Sequence, residues 1–168
     1  MLKLVKEFDP VLKQVAVDWD FTVDKSAEGA AILEKQMIDL MQSFNGIGLA
    51  ANQVGLLYRV FVIKLNGREP VAMFNPKVIG ESADLFQAEE GCLSFPNLWL
   101  DVKRPKAIQA EYLDNTGKSC TIELTGIDAR CFLHELDHLN GVTFTQKVSV
   151  LKLAMARKRQ QKKRKYNG

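Results

Sequence analysis

The chain has 168 residues, 46% of them apolar and 26% charged, a balance that suits one soluble globular domain spanning 1–168 with a sizeable core. It holds no apolar run long enough to span a membrane and no apolar stretch near its start that reads as a secretory leader, so neither is expected. Its three cysteines lack framework spacing, which suits reduced thiols in a cytoplasmic compartment rather than disulfides.

Residues 1–23 mix short apolar runs with acids and read as an irregular arm. Asp24 or Ser26 is expected to cap a helix running to about Phe44. Its Leu33, Met37, Leu40, Met41 and Phe44 form one apolar stripe, read as core, and Asn45-Gly46 ends it. The next ten residues, Gly46-Ile47-Gly48-Leu49-Ala50-Ala51-Asn52-Gln53-Val54-Gly55, are rich in small side chains, which suggests backbone that another group approaches closely. A phosphate-binding loop is disfavoured, because no helix follows convincingly and no Lys or Ser/Thr stands at the required spacing.

Strands are predicted at Tyr58–Leu65, Val71–Phe74 and Lys77–Ile79, the last two broken at Asn75-Pro76. Glu89-Glu90-Gly91-Cys92-Leu93-Ser94-Phe95-Pro96 then sets a cysteine between a glycine turn and a proline. Trp99–Lys103, Lys106–Leu113 and Ser119–Leu124 read as further strands, with a hairpin turn at Asp114-Asn115-Thr116-Gly117. A helix is predicted from Ile127 to Asn140, one more strand at Val142–Val148, and a last helix from Ser149. The expected class is α+β, with short mixed or antiparallel sheets packed around the 127–140 helix and a C-terminal helix. Residues 152–168 carry eight Lys/Arg and no acid. They hold +8 against −5 for the rest, which suggests a polyanionic partner for this basic tail.

Both histidines of the chain lie in the predicted helix, in His134-Glu135-Leu136-Asp137-His138. Residues i and i+4 of a helix sit about 40° apart round its axis, so the two imidazoles face one point, as two ligands of one metal ion do. Glu135, about 100° round from His134, stays out of the ligand set yet can reach a water beside the ion as general base. A catalytic site of this kind needs a third protein ligand. No His, Cys, Asp or Glu follows His138, so that ligand lies upstream, which argues against the ordinary HExxH proteases. Cys120 alternates with Ile122 and Leu124 and reads as core. Cys131 lies on the histidine face and either reaches the ion or lines the pocket. Cys92, in its glycine-flanked turn, is aimed from a different direction and leaves a corner open, so it is the preferred ligand.

Gly46 to Gln53, Glu90 to Ser94 and His134 to Gly141 together resemble the three signature motifs of the peptide deformylases, in order, within a resemblance spanning roughly residues 8–155. This resemblance implies an enzyme that removes the formyl group from the N-terminal formylmethionine of nascent polypeptides. It implies Cys92, His134 and His138 as metal ligands, Glu135 as general base, and Gln53 with the Leu93 backbone N–H as oxyanion donors. It also points to Fe²⁺, with Zn²⁺, Ni²⁺ and Co²⁺ compatible with the same ligands. Gly46, Ile47 and Gly48 are expected to bind the peptide as an added strand, Ile47, Ile127, Cys131 and parts of the helix to form an apolar pocket for the methionine side chain, and Glu90 and Gly91 to be among the substrate-binding residues. Leu133 departs from the Gln that many members carry at that position. Residues 156–165 are read as a ribosome tether; no membrane and no specific DNA partner is expected. The rival readings are an HExxH peptidase of other specificity and a ribosome- or RNA-binding protein with a structural metal site. Cleavage of unformylated peptides marks the first, and a fourth protein ligand the second.

Overall fold

The computed structural model describes residues 2–23 and 25–166, with side chains to residue 162. Two antiparallel sheets carry the fold. The larger has the order β1 (Gly48–Ala50), β2 (Val60–Ile63), β3 (Val71–Glu81), β6 (Ala107–Leu113) and β7 (Ser119–Thr125). The smaller is a hairpin of β4 (Leu85–Cys92) and β5 (Phe95–Pro105). Among the described residues three α-helices complete it: α1 (Ser26–Ser43), α2 (Gly126–Leu139) and α3 (Val150–Tyr166).

The larger sheet is covered on both faces, which explains why β2 is a continuous apolar run and not an alternating one. Val60 and Val62 point towards α1 and join Leu33, Met37, Met41 and Phe74. Phe61 and Ile63 point the other way, to Phe132, Ala129 and Leu139 of α2. A third cluster lies under the hairpin, where Leu98, Leu100 and Val102 meet Leu12, Phe144 and Ala156 of α3. The helix with the two histidines is therefore held between the larger sheet and the hairpin.

Several expectations shift. The two short strands around Asn75-Pro76 are one strand, because Asn75 adopts φ +49° in a bulge and the pairing with β6 resumes at Lys77. Asn75 also exchanges two hydrogen bonds with the Trp19 backbone, at 2.8 and 2.9 Å, which pins the N-terminal arm. The strand expected at 142–148 is instead a 3-10 turn, Phe144–Lys147. Gln146 Oε1 accepts from the Thr143 N–H at 2.8 Å, and this local bond competes with extended pairing. Within the arm, Pro10–Lys13 is a 3-10 turn that Asp9 caps by accepting from the Val11 N–H. Ser26 opens α1 without a side-chain cap, and Asp24 lies outside the described residues. Phe44 is half exposed and lines a cavity, not the core, and Cys120 is only partly buried.

Phe132 is fully buried and meets the Phe61 ring edge-on, with centroids 5.1 Å apart. Removing such a ring leaves a cavity in the helix–sheet contact, so Phe132→Ala should lower the unfolding free energy by about 3–5 kcal/mol in urea denaturation. A loss below about 1 kcal/mol contradicts this packing.

Candidate metal centre

Cys92 is the last residue of β4, not the middle of a loop, and pairs across the hairpin end with Phe95. His134 and His138 come from adjacent turns of α2. The ligand atoms of these three side chains all lie within 4.8 Å of one another, and Cys92 Sγ is 3.3 Å from His138 Nε2. Cys131 is buried one turn earlier on α2, but its Sγ is turned to the Ile47 carbonyl at 3.5 Å. Among the described residues it is not in the cluster. Burial and the nearby Glu135 push its thiol well up, so it stays a neutral pocket wall. One thiolate and two imidazoles are the donors a first-row divalent ion takes, and three donors leave such an ion a free position.

Glu90 organises the back of the centre. Arg104 Nε donates to its Oε1 at 2.5 Å and Nη2 to its Oε2 at 2.8 Å. Arg130 Nη1 donates to Oε1 at 2.7 Å, and His134 Nδ1 lies 3.0 Å from Oε2. Burial disfavours the Glu90 carboxylate most, yet Arg104 and His134 outweigh it and hold the group at about 2. An ionised Glu90 only accepts, so His134 Nδ1 carries a proton and its Nε2 is left to take either a second proton or a cation. Burial also works against a proton on His134, but Cys92 and Glu90 prevail and raise it to about 10. That electron-rich setting attracts a metal cation for the same reason. His138, fully buried, is pushed well below its usual range. Arg104 Nη1 reaches on to Asp137 at 2.8 Å, which Lys147 meets at 3.0 Å.

Neither Arg104 nor Arg130 stood out in the sequence, because an arginine is normally read as surface. The signals were there: Arg104 continues the inward register of Leu98, Leu100 and Val102, and Arg130 precedes His134 by four residues on its face.

Glu135 is buried against β1. A Cβ on Gly48 would collide with its Oε1 and lie 2.9 Å from Cys131 Sγ, so only a glycine lets this strand pass the carboxylate. Its Oε2 has no partner among the described residues, and burial, the largest influence, pushes the group up to about 7. Gln53 is held from both ends: Oε1 accepts from the Ala50 N–H at 2.8 Å, and Nε2 faces Cys92 Sγ and Ser94 Oγ, each at 3.3 Å. Asn52 donates to the His138 carbonyl at 2.5 Å.

A cavity of about 560 Å³ opens at the cluster. It is lined by Gly46, Ile47, Gly48, Gln53, Glu90, Gly91, Cys92, Leu93, Ile127, Cys131, His134 and Glu135. Every candidate site residue from the sequence is therefore on its wall except His138, which is fully buried against Cys92. Ile47 and Ile127 are half exposed at the rim.

Glu90→Ala leaves two buried guanidinium groups without their carboxylate, so it should cost about 3–5 kcal/mol in urea denaturation. A cost under about 1 kcal/mol contradicts the account of Glu90 as the tie between hairpin and helix.

The family model described as polypeptide deformylase matches residues 1–154. The chain is 40% identical over 164 residues to the peptide deformylase of Rhizobium meliloti, covering 95% of this chain and 92% of that one. It is 40% identical over 151 residues to the peptide deformylase of Thermotoga neapolitana, covering 90% and 89%. The crystal structure of the Thermotoga maritima peptide deformylase superposes with a TM-score of 0.82 at 39% identity, covering 89% of this chain and 98% of that one. A Synechococcus elongatus peptide deformylase in complex with actinonin gives 0.83 at 39%, covering 95% and 85%. With a three-donor cluster beside a buried glutamate and these likenesses along nearly its whole length, the chain belongs to the polypeptide deformylase family, enzymes that hydrolyse the formyl group from N-terminal formylmethionine and release formate.

Proposed function

We propose that Cys92, His134 and His138 hold one divalent ion, that Fe²⁺ is the working metal with Zn²⁺, Ni²⁺ and Co²⁺ as substitutes, and that Glu135 is the general base. The observation that carries this reading is the meeting of the three donors within 4.8 Å at the wall of the cavity that Glu135 also lines. Such an ion supplies a Lewis acid and lowers the pKa of water towards ~7. Glu135 takes a proton from the attacking water and returns it to the leaving amine as the C–N bond breaks. The tethered amide of Gln53 donates through Nε2 to the developing oxyanion, joined by the Leu93 backbone N–H; one such donor is typically worth about 2.7–4 kcal/mol of barrier. His134 is kept in the ligating tautomer by Glu90.

The substrate is the start of a nascent chain in a cytoplasmic, bacterial-type translation compartment, and residues 1–168 act as one catalytic domain. β1 is an edge strand of the larger sheet, so Gly46, Ile47 and Gly48 offer backbone to which a peptide adds in strand fashion. The methionine side chain lies among Ile47, Ile127 and Cys131, with Glu90 and Gly91 behind. With Fe²⁺ held there, Cys92 would be the residue oxidised by dioxygen, and the enzyme would be oxygen-sensitive. No helix among the described residues is long and apolar enough to cross a membrane. The basic end of α3 tethers the enzyme to the ribosome by its charge.

Glu135→Ala should keep one metal ion per chain by elemental analysis yet lose at least about 100-fold in formate release from a formyl-Met tripeptide. Metal retained together with turnover within tenfold of the parent overturns the assignment. Ala156 and Gln160 are buried, so the tether test is removal of residues 161–168 and not of the whole tail. Peptide turnover should stay unchanged while salt-sensitive co-sedimentation with ribosomes weakens; unchanged co-sedimentation removes the tether.

A further inference from the structure

A second cleft, of about 330 Å³, lies between the hairpin and α3 and is lined by Glu89, Asn97, Trp99, Ala156, Arg159 and Gln160. Glu89, Asn97 and Trp99 also line the larger cavity, so the two are neighbouring chambers with Trp99 between them. The Trp99 ring lies against Gly91, where a Cβ would meet its atoms at 2.9–3.1 Å. The far wall is braced, since buried Gln160 donates to the Pro96 carbonyl at 2.8 Å and accepts from Arg157 at 3.0 Å. The two charges facing the cleft are not spent on the fold. Among the described residues, the side chains of Glu89 and Arg159 have no hydrogen-bond or ion-pair partner, not even each other.

The two walls differ in charge surroundings. Glu89 stands opposite Asp101 in the hairpin, with Lys103 at the diagonal position to offset it. Arg159 stands on a helix that carries no acid from Val150 to Tyr166, with exposed Lys158 and Lys162 near it. The helical wall thus has only basic charged neighbours on its own element, whereas the hairpin wall has an acid and a base beside Glu89.

We propose that this second cleft is a distal subsite for the formylated peptide, receiving an acidic side chain from the residues after the second, with Arg159 as its counter-charge and Trp99 as its wall. The inference rests on the deformylase reading above. With the methionine in the larger cavity, the chain continues past Asn97 and Trp99, advancing about 3.3 Å per residue when extended. α3 thereby becomes part of the substrate groove as well as a carrier of charge.

The test measures kcat/KM for formate release by the full chain from formyl-Met-Ala and from formyl-Met-Ala-X-X-Ala with X as Glu or Lys. The parent should favour the Glu peptide over the Lys peptide by about fivefold, the size expected of one exposed ion pair. Arg159→Glu should reverse that preference, while Lys152→Glu, the same charge change at an exposed site away from the cleft, should leave it. A ratio unmoved by Arg159→Glu, or moved equally by Lys152→Glu, overturns the subsite. Failure of the deformylase reading would look different: no formate from any peptide, formyl-Met-Ala included, which overturns both.

Discussion

One buried carboxylate sets the relation between the two halves of the centre. Glu90 stands two residues before Cys92 on β4, and its partners Arg130 and His134 stand on one face of α2, about 40 residues later in the chain. Burying an ion is costly, and the cost is offset only when donors fill its lone pairs. Arg104 from β5, with Arg130 and His134 from α2, supplies them. The hairpin with the sulfur and the helix with the imidazoles are thus drawn to one point, and any slip of either would strand buried charge. The same bonds set the tautomer of His134. Placement and chemical readiness of the ligand follow from one interaction.

The remainder of the fold supports that junction. β2, buried on both faces, separates the α1 core from the α2 core, and Phe132 locks α2 onto the sheet by its contact with Phe61. On the open side of α2, Gly48 carries the edge strand past Glu135 without a side chain in the way. The arm closes the assembly from behind, where the Val5 N–H donates to the Gln53 carbonyl at 2.8 Å and the Ala16 N–H to the Leu139 carbonyl at 2.9 Å. The loop that carries Gln53 and the C-terminal end of α2 are therefore backed by the same segment.

Much of this was legible in the residues, for reasons that also mark where legibility ends. Helical geometry alone aligns His134 with His138, and the lack of donors after His138 sends the third ligand upstream. Preferring Cys92 to Cys131 needed only the argument that it approaches from a different direction and leaves a corner open; in the structure the Cys131 Sγ is turned to the Ile47 carbonyl. The helix at 127–140 and the strands at 106–113 and 119–124 stood close to their observed bounds, because periodicity and turn residues spoke together there, whereas the strand expected at 99–103 runs from Phe95 to Pro105. The strand expected at 142–148 failed because a side-chain bond from Gln146 decided the local backbone, which an apolar pattern does not reveal. Asn75 looked like a break, yet an asparagine tolerates positive φ and the strand runs through it. The arginines around Glu90 were missed because their burial depends on partners remote in sequence. Leu133, the departure from the common glutamine, is only half buried and packs against the α2 core, so the centre stands without a polar group there.

The central claim is that a single ion held by one sulfur and two imidazoles makes the chain a deformylase. Its most direct test is formate release from a formyl-Met tripeptide as metal-stripped protein is titrated anaerobically with Fe²⁺. Turnover should be negligible at the start, rise linearly, and level off at one ion per chain. Full turnover by the stripped protein, or a rise that ends only at two ions, would contradict it.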